Sequence, residues 1–332
     1  MWKIKNELNK FVLDSFRYRF VEPLFEEVIN YRLDYFNYGN ILAYINSTDI
    51  LYKKNKKLFV TALKRSKNGV KLYEYFDNFC SENVFYILNQ YYIYLSQNFS
   101  LDNENYNVEY FVINENLKVV FVDFYYEKFI KDTKIWELIE PKYGNFNREE
   151  FHKNFCDENK LTVCPYCDID TLNNIGNREI EHFVPKSDYP FVSMHPYNLI
   201  SSCSSCNKYE GKKANYYVPI KSPFTIQYGD LVQFNIDDVN EKVSLPVIGT
   251  DYIDNYVKLL NLDERYQNKN VYDSLDGRAK SLFQIYLESE RDGNKIEEIL
   301  FDRYLNTRKE PLTFALKSLY ESLSAYTSYK NS

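Results

Sequence analysis

Two cysteine pairs constrain this chain more than any other feature. Cys164 and Cys167 stand in C-P-Y-C, and Cys203 and Cys206 in C-S-S-C, with 35 residues between the pairs. A CxxC turn offers two thiolates to one side, and two such knuckles complete a tetrahedral sulfur shell that suits zinc. Four sulfurs leave no position for a substrate, so a metal held there is structural. The fold has to bring the knuckles together, and any chemistry has to come from other side chains. Between the pairs lie Glu181-His182 and Asn198, and Asn207 directly follows the last cysteine.

The frame of C-P-Y-C, E-H-F-V-P-K-S from Glu181 to Ser187, Asn198 and Asn207 resembles the HNH, or ββα-metal, endonuclease motif. It is most similar to the zinc-bound HNH nucleases. The resemblance covers residues 157–213 and leaves the rest of the chain unplaced. Two positions depart from it: Glu210 stands where such motifs usually carry a lysine, and Asp168 where a glycine often follows the first knuckle.

The resemblance implies roles that the residue types can fill. Phosphodiester hydrolysis requires an activated water and a stabilised leaving oxygen. A neutral imidazole takes a proton near pH 7, which makes His182 the candidate general base. Hard oxygen ligands suit Mg²⁺ or Mn²⁺, and Glu181 and Asn207 are the candidate ligands of that catalytic metal. Asn198 is expected to bond the backbone of the loop before it and so orient the His182 strand. Lys186, Lys208, Lys212 and Lys213 are candidate phosphate contacts or a solvated rim. His195 is either a phosphate contact or a loop-packing residue, and His152 is given no role. The implied activity is DNA cleavage, and the implied setting is an anti-phage effector of the Septu or retron type working with an ATPase partner. The alternatives are a catalytically silent zinc module that binds nucleic acid or builds an assembly, and a nuclease that cuts RNA.

Charge complicates a nucleic-acid reading, because the net charge is −6 and duplex affinity comes mainly from cations on phosphates. The run from Lys53 to Lys71 is the exception, with eight basic residues, Lys53, Lys54, Lys56 and Lys57 among them, and no acidic one. A solvated helix face explains it about as well as a phosphate-binding patch. Of six cysteines, only Cys80 and Cys156 lie outside the clamp. That usage fits a reducing, cytoplasmic compartment better than a disulfide scaffold. No apolar run approaches the roughly 18 residues of a membrane span.

The expected fold is α+β: a ββα-metal core clamped by the four-cysteine zinc site, between mainly helical flanks. Residues 1–150 form the first domain, 151–215 the nuclease module and 216–332 a mainly helical C-terminal domain. In the first, apolar spacing predicts helix from Asn6 to Arg32, interrupted at Pro23, and from Ser81 to Gln97 with Ser81 as cap. The β-rich runs within Asn107–Asp123 predict a hairpin, followed by a helix from Tyr125 to Ile139. A helix from Arg148 to Glu158 leads to the first knuckle. The motif's hairpin is expected to pair Ile169–Leu172 with Arg178–Val184, and Asn207 to open a helix running to Asn215. Helices are then expected at Tyr252–Leu260, Val271–Glu290, Lys295–Leu305 and Pro311–Tyr326.

Overall fold

Pro23 decides how the chain begins. It has no N–H to close the helical bond to Arg19 O, and Asn55 Nδ2 donates to that carbonyl instead, at 2.6 Å. The helix does not break there. A π-helical turn, Arg17–Val21, joins α1 (Glu7–Phe16) to α2 (Glu22–Asp34). The computed structural model describes residues 1–173, 175–208, 216–246, 248–291 and 305–330. They form two compact units in place of the three consecutive domains expected: Asn6–Phe155 with Ile180–Ile200, and Met1–Lys5 with Cys156–Glu179 and Ser201–Ser332.

The first unit is mainly helical. After α2 come α3 (Ile41–Asn46), α4 (Lys56–Leu63), a minimal ladder of β1 (Ser66–Lys67) and β2 (Val70–Lys71), and α5 (Leu72–Cys80). The 19-residue α6 (Val84–Asp102) is capped by Asn83, whose side chain accepts from Phe85 N, while the expected cap Ser81 closes α5 instead. The core is aromatic: Phe16, Phe20, Tyr125 and Trp136 are fully buried or nearly so. Phe16 lies 5.2 Å from both Phe20 and Trp136 between ring centres.

The hairpin expected over Asn107–Asp123 does not form. Two buried glutamines of α6 take the place of a β partner for its first run. Gln90 Nε2 donates to Val112 O and Gln90 Oε1 accepts from Asn114 N, at 3.1 and 3.0 Å, while Gln97 Nε2 donates to Glu109 O at 3.3 Å. Asn114 then caps α7 (Glu115–Lys118), which continues as π-helix through Val119–Tyr126. Val120, Phe121, Phe124 and Tyr125 are all buried, and burial of this face overrides the β preference of V-V-F-V. The single helix expected over Tyr125–Ile139 is likewise divided. Asp132 caps a new one, α8 (Thr133–Ile139), which ends before Pro141 as expected. α9 (Arg148–Asn159) follows.

Around the knuckles the expected hairpin is also rearranged. Residues Ile169–Leu172 contribute only an isolated bridge, Val163 to Thr171, because the chain there is curled about the cysteines: Asp168 N donates to Cys164 O and Cys164 N to Asp170 O. β3 (Arg178–His182) pairs instead with β4 (Leu199–Cys203), and α10 (Ser204–Lys208) follows at once. Asn207 therefore sits inside a helix that Ser204 opens. The remainder of that expected helix, with Glu210, Lys212 and Lys213, lies outside the described residues.

The second unit adds an antiparallel pair, β5 (Asn235–Asp237) with β6 (Lys242–Ser244). Among its described residues follow the helices α11 (Asp251–Leu259), α12 (Leu262–Tyr266), α13 (Lys269–Arg291) and α14 (Thr313–Lys330). Most of the helix expected at Lys295–Leu305 lies outside the described residues. The architecture is α+β. No described helix is long and apolar enough to cross a membrane.

Candidate functional site

The four cysteines converge. Their sulfurs lie within 4.8 Å of one another and all four residues are buried. Cys164 Sγ is 3.8 Å from Cys206 Sγ, and Cys167 Sγ is 3.9 Å from Cys203 Sγ. A tetrahedron with zinc–sulfur bonds of about 2.3 Å has edges of about 3.8 Å, so the shell fits zinc. Among the described residues no other group of three or more His, Cys, Asp or Glu side chains is so arranged. Backbone N–H groups support the sulfurs, Ile169 N to Cys167 Sγ and Cys203 N to Cys164 Sγ, both at 3.4 Å.

Two residues around the clamp have roles that no motif in the sequence marked. Arg265 of α12 places Nη1 2.9 Å from Cys206 Sγ and Nη2 3.1 Å from Asp170 Oδ2. Burial works against its charge, but the neighbouring thiolates outweigh it and hold the guanidinium above its ordinary pKa. It thus offsets part of the negative charge of a four-thiolate site. Asn261, in the left-handed region at φ 48°, turns the chain from α11 into α12 and so brings Arg265 round. Asp168 explains its own departure from glycine. Its φ is 58°, a conformation that glycine favours and that aspartate tolerates. A glycine would lack the carboxylate that accepts from Trp2 Nε1 at 2.9 Å and from Phe314 N, in the first turn of α14, at 3.1 Å. Nothing local in the sequence announced Arg265, since its partners lie 59 and 95 residues away along the chain.

The acid–histidine segment is equally ordered. Asn198 is fully buried. Its Oδ1 accepts from Val184 N at 2.6 Å, and its Nδ2 donates to Val184 O and Val192 O at 3.1 and 3.0 Å. This one side chain thus ties both ends of the loop that follows His182, the bonding expected of it. His182 is 6 % exposed, and its Nε2 lies 3.0 Å from Ser193 O. A carbonyl only accepts, so Nε2 carries the proton, and the basic lone pair of the neutral ring is on Nδ1. Ser193 is itself held, its Oγ donating to Phe121 O at 2.9 Å. Glu181 precedes His182 on β3 and is also buried.

Tyr126 organises the surroundings of His182. Its ring centre lies 4.3 Å from the imidazole and its hydroxyl donates to Ile180 O at 3.1 Å. Lys186 Nζ sits 4.1 Å from the same ring centre and Arg148 Cζ 4.8 Å from it. Both cations also pair with Glu127, Lys186 through Oε1 at 2.5 Å and Arg148 through Oε2 at 2.8 Å. Burial pushes the Glu127 carboxyl up, but the two cations outweigh it and hold it below its ordinary pKa. Lys186 is therefore not an isolated surface lysine, and Arg148 and Glu127 join it.

Other candidates separate. His195 is buried, accepts from Tyr197 N through Nδ1 and donates from Nε2 to Asp102 Oδ1 at 3.0 Å. Burial holds its pKa below the ordinary value, against the pull of Asp102. The loop-packing role describes it, not a phosphate contact. In the basic run, Lys56 donates to Asn46 O and Ser47 O, Arg65 pairs with Asp132, and Lys67 with Asp123. Lys53, Lys54, Lys57 and Lys64 are exposed and, among the described residues, in no ion pair. Lys208 ends α10.

No known protein-family model matches the chain, and no solved structure matches it. The chain is similar to the Septu protein PtuB of Bacillus thuringiensis. The two are 29 % identical over 138 residues, 36 % of this chain and 52 % of that protein. The chain thus spans about half the length of the curated relative it matches.

Proposed function

We propose that this chain is a metal-dependent endonuclease of the HNH type that hydrolyses DNA, acting in anti-phage defence beside an ATPase partner. The observation that carries the reading is the His182 imidazole, held in one tautomer by the Ser193 carbonyl on a loop that buried Asn198 ties at both ends. Such a frame suits a general base, which has to present one nitrogen in one direction. The order of two strands and a helix in β3, β4 and α10 agrees with a ββα-metal core. The similarity to a Septu protein supports the setting.

In this reading His182 Nδ1 takes the proton of the attacking water, and the Nε2–H···O bond to Ser193 keeps the ring aimed during the transfer. Lys186 and Arg148 hold a backbone phosphate beside Tyr126, taking it in place of the Glu127 carboxylate. Asn198 keeps the loop from shifting as substrate enters. Glu181 offers a hard oxygen donor that suits Mg²⁺ or Mn²⁺, which when bound would neutralise charge on the scissile phosphate and the departing oxygen. The zinc clamp takes no part in the chemistry and holds its own segment of chain.

The competing reading is a catalytically silent zinc module, and the burial of both Glu181 and His182 favours it. Plasmid nicking by the purified protein with Mg²⁺ or Mn²⁺, alone and with the proposed ATPase partner, decides between them. Metal-dependent nicking that disappears in His182→Ala supports the nuclease. Nucleic-acid binding without cleavage under every condition supports the silent module, and cleavage of RNA alone transfers the reading to an RNase.

A further inference from the structure

Helix α6 carries two apolar faces. Between Val84 and Asp102 it buries Ile87, Ile93, Tyr94 and Leu101 together with Gln90, Gln97 and Asn98, and it still exposes Phe85, Leu88, Tyr92, Leu95 and Phe99. Phe85 is 81 % exposed, Tyr92 65 % and Phe99 67 %. The buried amides are accounted for, since Gln90 and Gln97 bond the segment that runs along their side. The exposed stripe has no such account within the first unit. Its spacing of three, four, three and four residues is the heptad seam of a helix that packs against another helix.

We propose that this face of α6 pairs with the same face of a second copy of the chain. Three properties select that occupant. A 3.5-residue repeat accepts a helix bearing the same repeat, and α6 itself is such a helix. The positions flanking the seam are Asn89, Tyr91, Ser96 and Asn98, and no charged residue occurs from Val84 to Leu101. A chain of net charge −6 repels its own copies in general, and this is a face where two copies meet without like charges opposed. The third property is area. The three aromatic rings expose on the order of 400 Å² if a whole aromatic side chain offers about 200 Å². With the two leucines, a pair of copies covers roughly 1,000 Å², the threshold of a specific interface. The pairing is isologous, so Tyr92 at the centre of the stripe lies against Tyr92 of the other copy.

Sedimentation velocity of the full chain over a wide concentration range tests this, with Tyr92→Glu and Tyr92→Lys as variants. Residue 92 is exposed, so both variants are expected to fold and to keep the wild-type far-ultraviolet circular dichroism. The expected result is a reversible dimer in the wild type, weakened at least tenfold in either variant and restored when the two variants are mixed. A wild type that stays monomeric throughout overturns the proposal, as does a dimer equally stable in Tyr92→Glu. A stripe that associates only with the ATPase partner also overturns it, assigning the face to that protein. None of these readouts depends on nuclease activity.

Discussion

At the scale of single residues, His182 is the most exposed to test. Replacing it with alanine leaves the cysteine clamp and the Asn198 bonds in place. Cleavage is expected to fall by roughly 10²–10⁴-fold, the usual contribution of a general base, while zinc content and DNA binding stay at wild-type levels. Single-turnover rates check this, and a variant that cuts at the wild-type rate removes His182 from the mechanism. Asn198→Ala is a different kind of change, because it orphans backbone groups of Val184 and Val192 in a buried loop. Each orphan costs roughly 1–3 kcal/mol, so lost activity there accompanies a lower melting temperature. Glu127 gives the opposite sign. Glu127→Gln removes the anion that occupies Lys186 and Arg148 and is expected to tighten DNA binding. Its log–log salt slope steepens by about one to two, near 0.9 for each phosphate newly neutralised. Fluorescence anisotropy across a salt series measures it, and an unchanged slope with a lowered melting temperature would make the three residues a structural ion network only.

At the scale of elements, the knuckles are held by thiolate geometry rather than by regular structure. The segment from Val163 to Leu172 makes one isolated bridge, and α10 is only five residues long. Elements so short do not persist alone, so metal binding and local folding are one equilibrium. Cys164→Ser or Cys203→Ser is therefore expected to lose zinc together with the ordered knuckles. Metal analysis should find one zinc per chain in the wild type and none in the variants, and near-ultraviolet circular dichroism should report the loss of packing. A wild type that folds fully without zinc would refute the clamp. Arg265 shares this dependence, since without its thiolates the half-buried guanidinium would keep only the Asp170 carboxylate as a charged partner.

At the scale of the whole molecule, a net charge of −6 leaves DNA affinity to local cations. Lys53, Lys54 and Lys57 are exposed, whereas Lys56 is committed to the carbonyls of Asn46 and Ser47. Reversing the three exposed lysines to glutamate is expected to weaken DNA binding and flatten its salt dependence by about 0.9 for each phosphate no longer neutralised. The fold should be unaffected, because these side chains make no ion pair among the described residues. Binding that is identical across the salt series returns the run to a solvated face.

Whatever short-range chemistry encodes was legible in the chain alone. The CxxC spacing made the sulfur shell, Asn198 stood where its amide could reach both ends of one loop, and Pro141 marked the end of α8. The order of Glu181, His182, Asn198 and Asn207 named candidates whose part in cleavage the assays above decide. Tertiary structure decided what depends on a distant partner. The strand at Arg178–His182 could not announce that it pairs with Leu199–Cys203 rather than with Ile169–Leu172. The run V-V-F-V could not announce that its helix would be buried, nor that Gln90 and Gln97 would replace a β-strand beside Asn107–Asn114. Arg265 and Glu127 were invisible for the same reason. A lone charge carries no local pattern, and its role exists only where folding brings a thiolate or a second cation within reach of it.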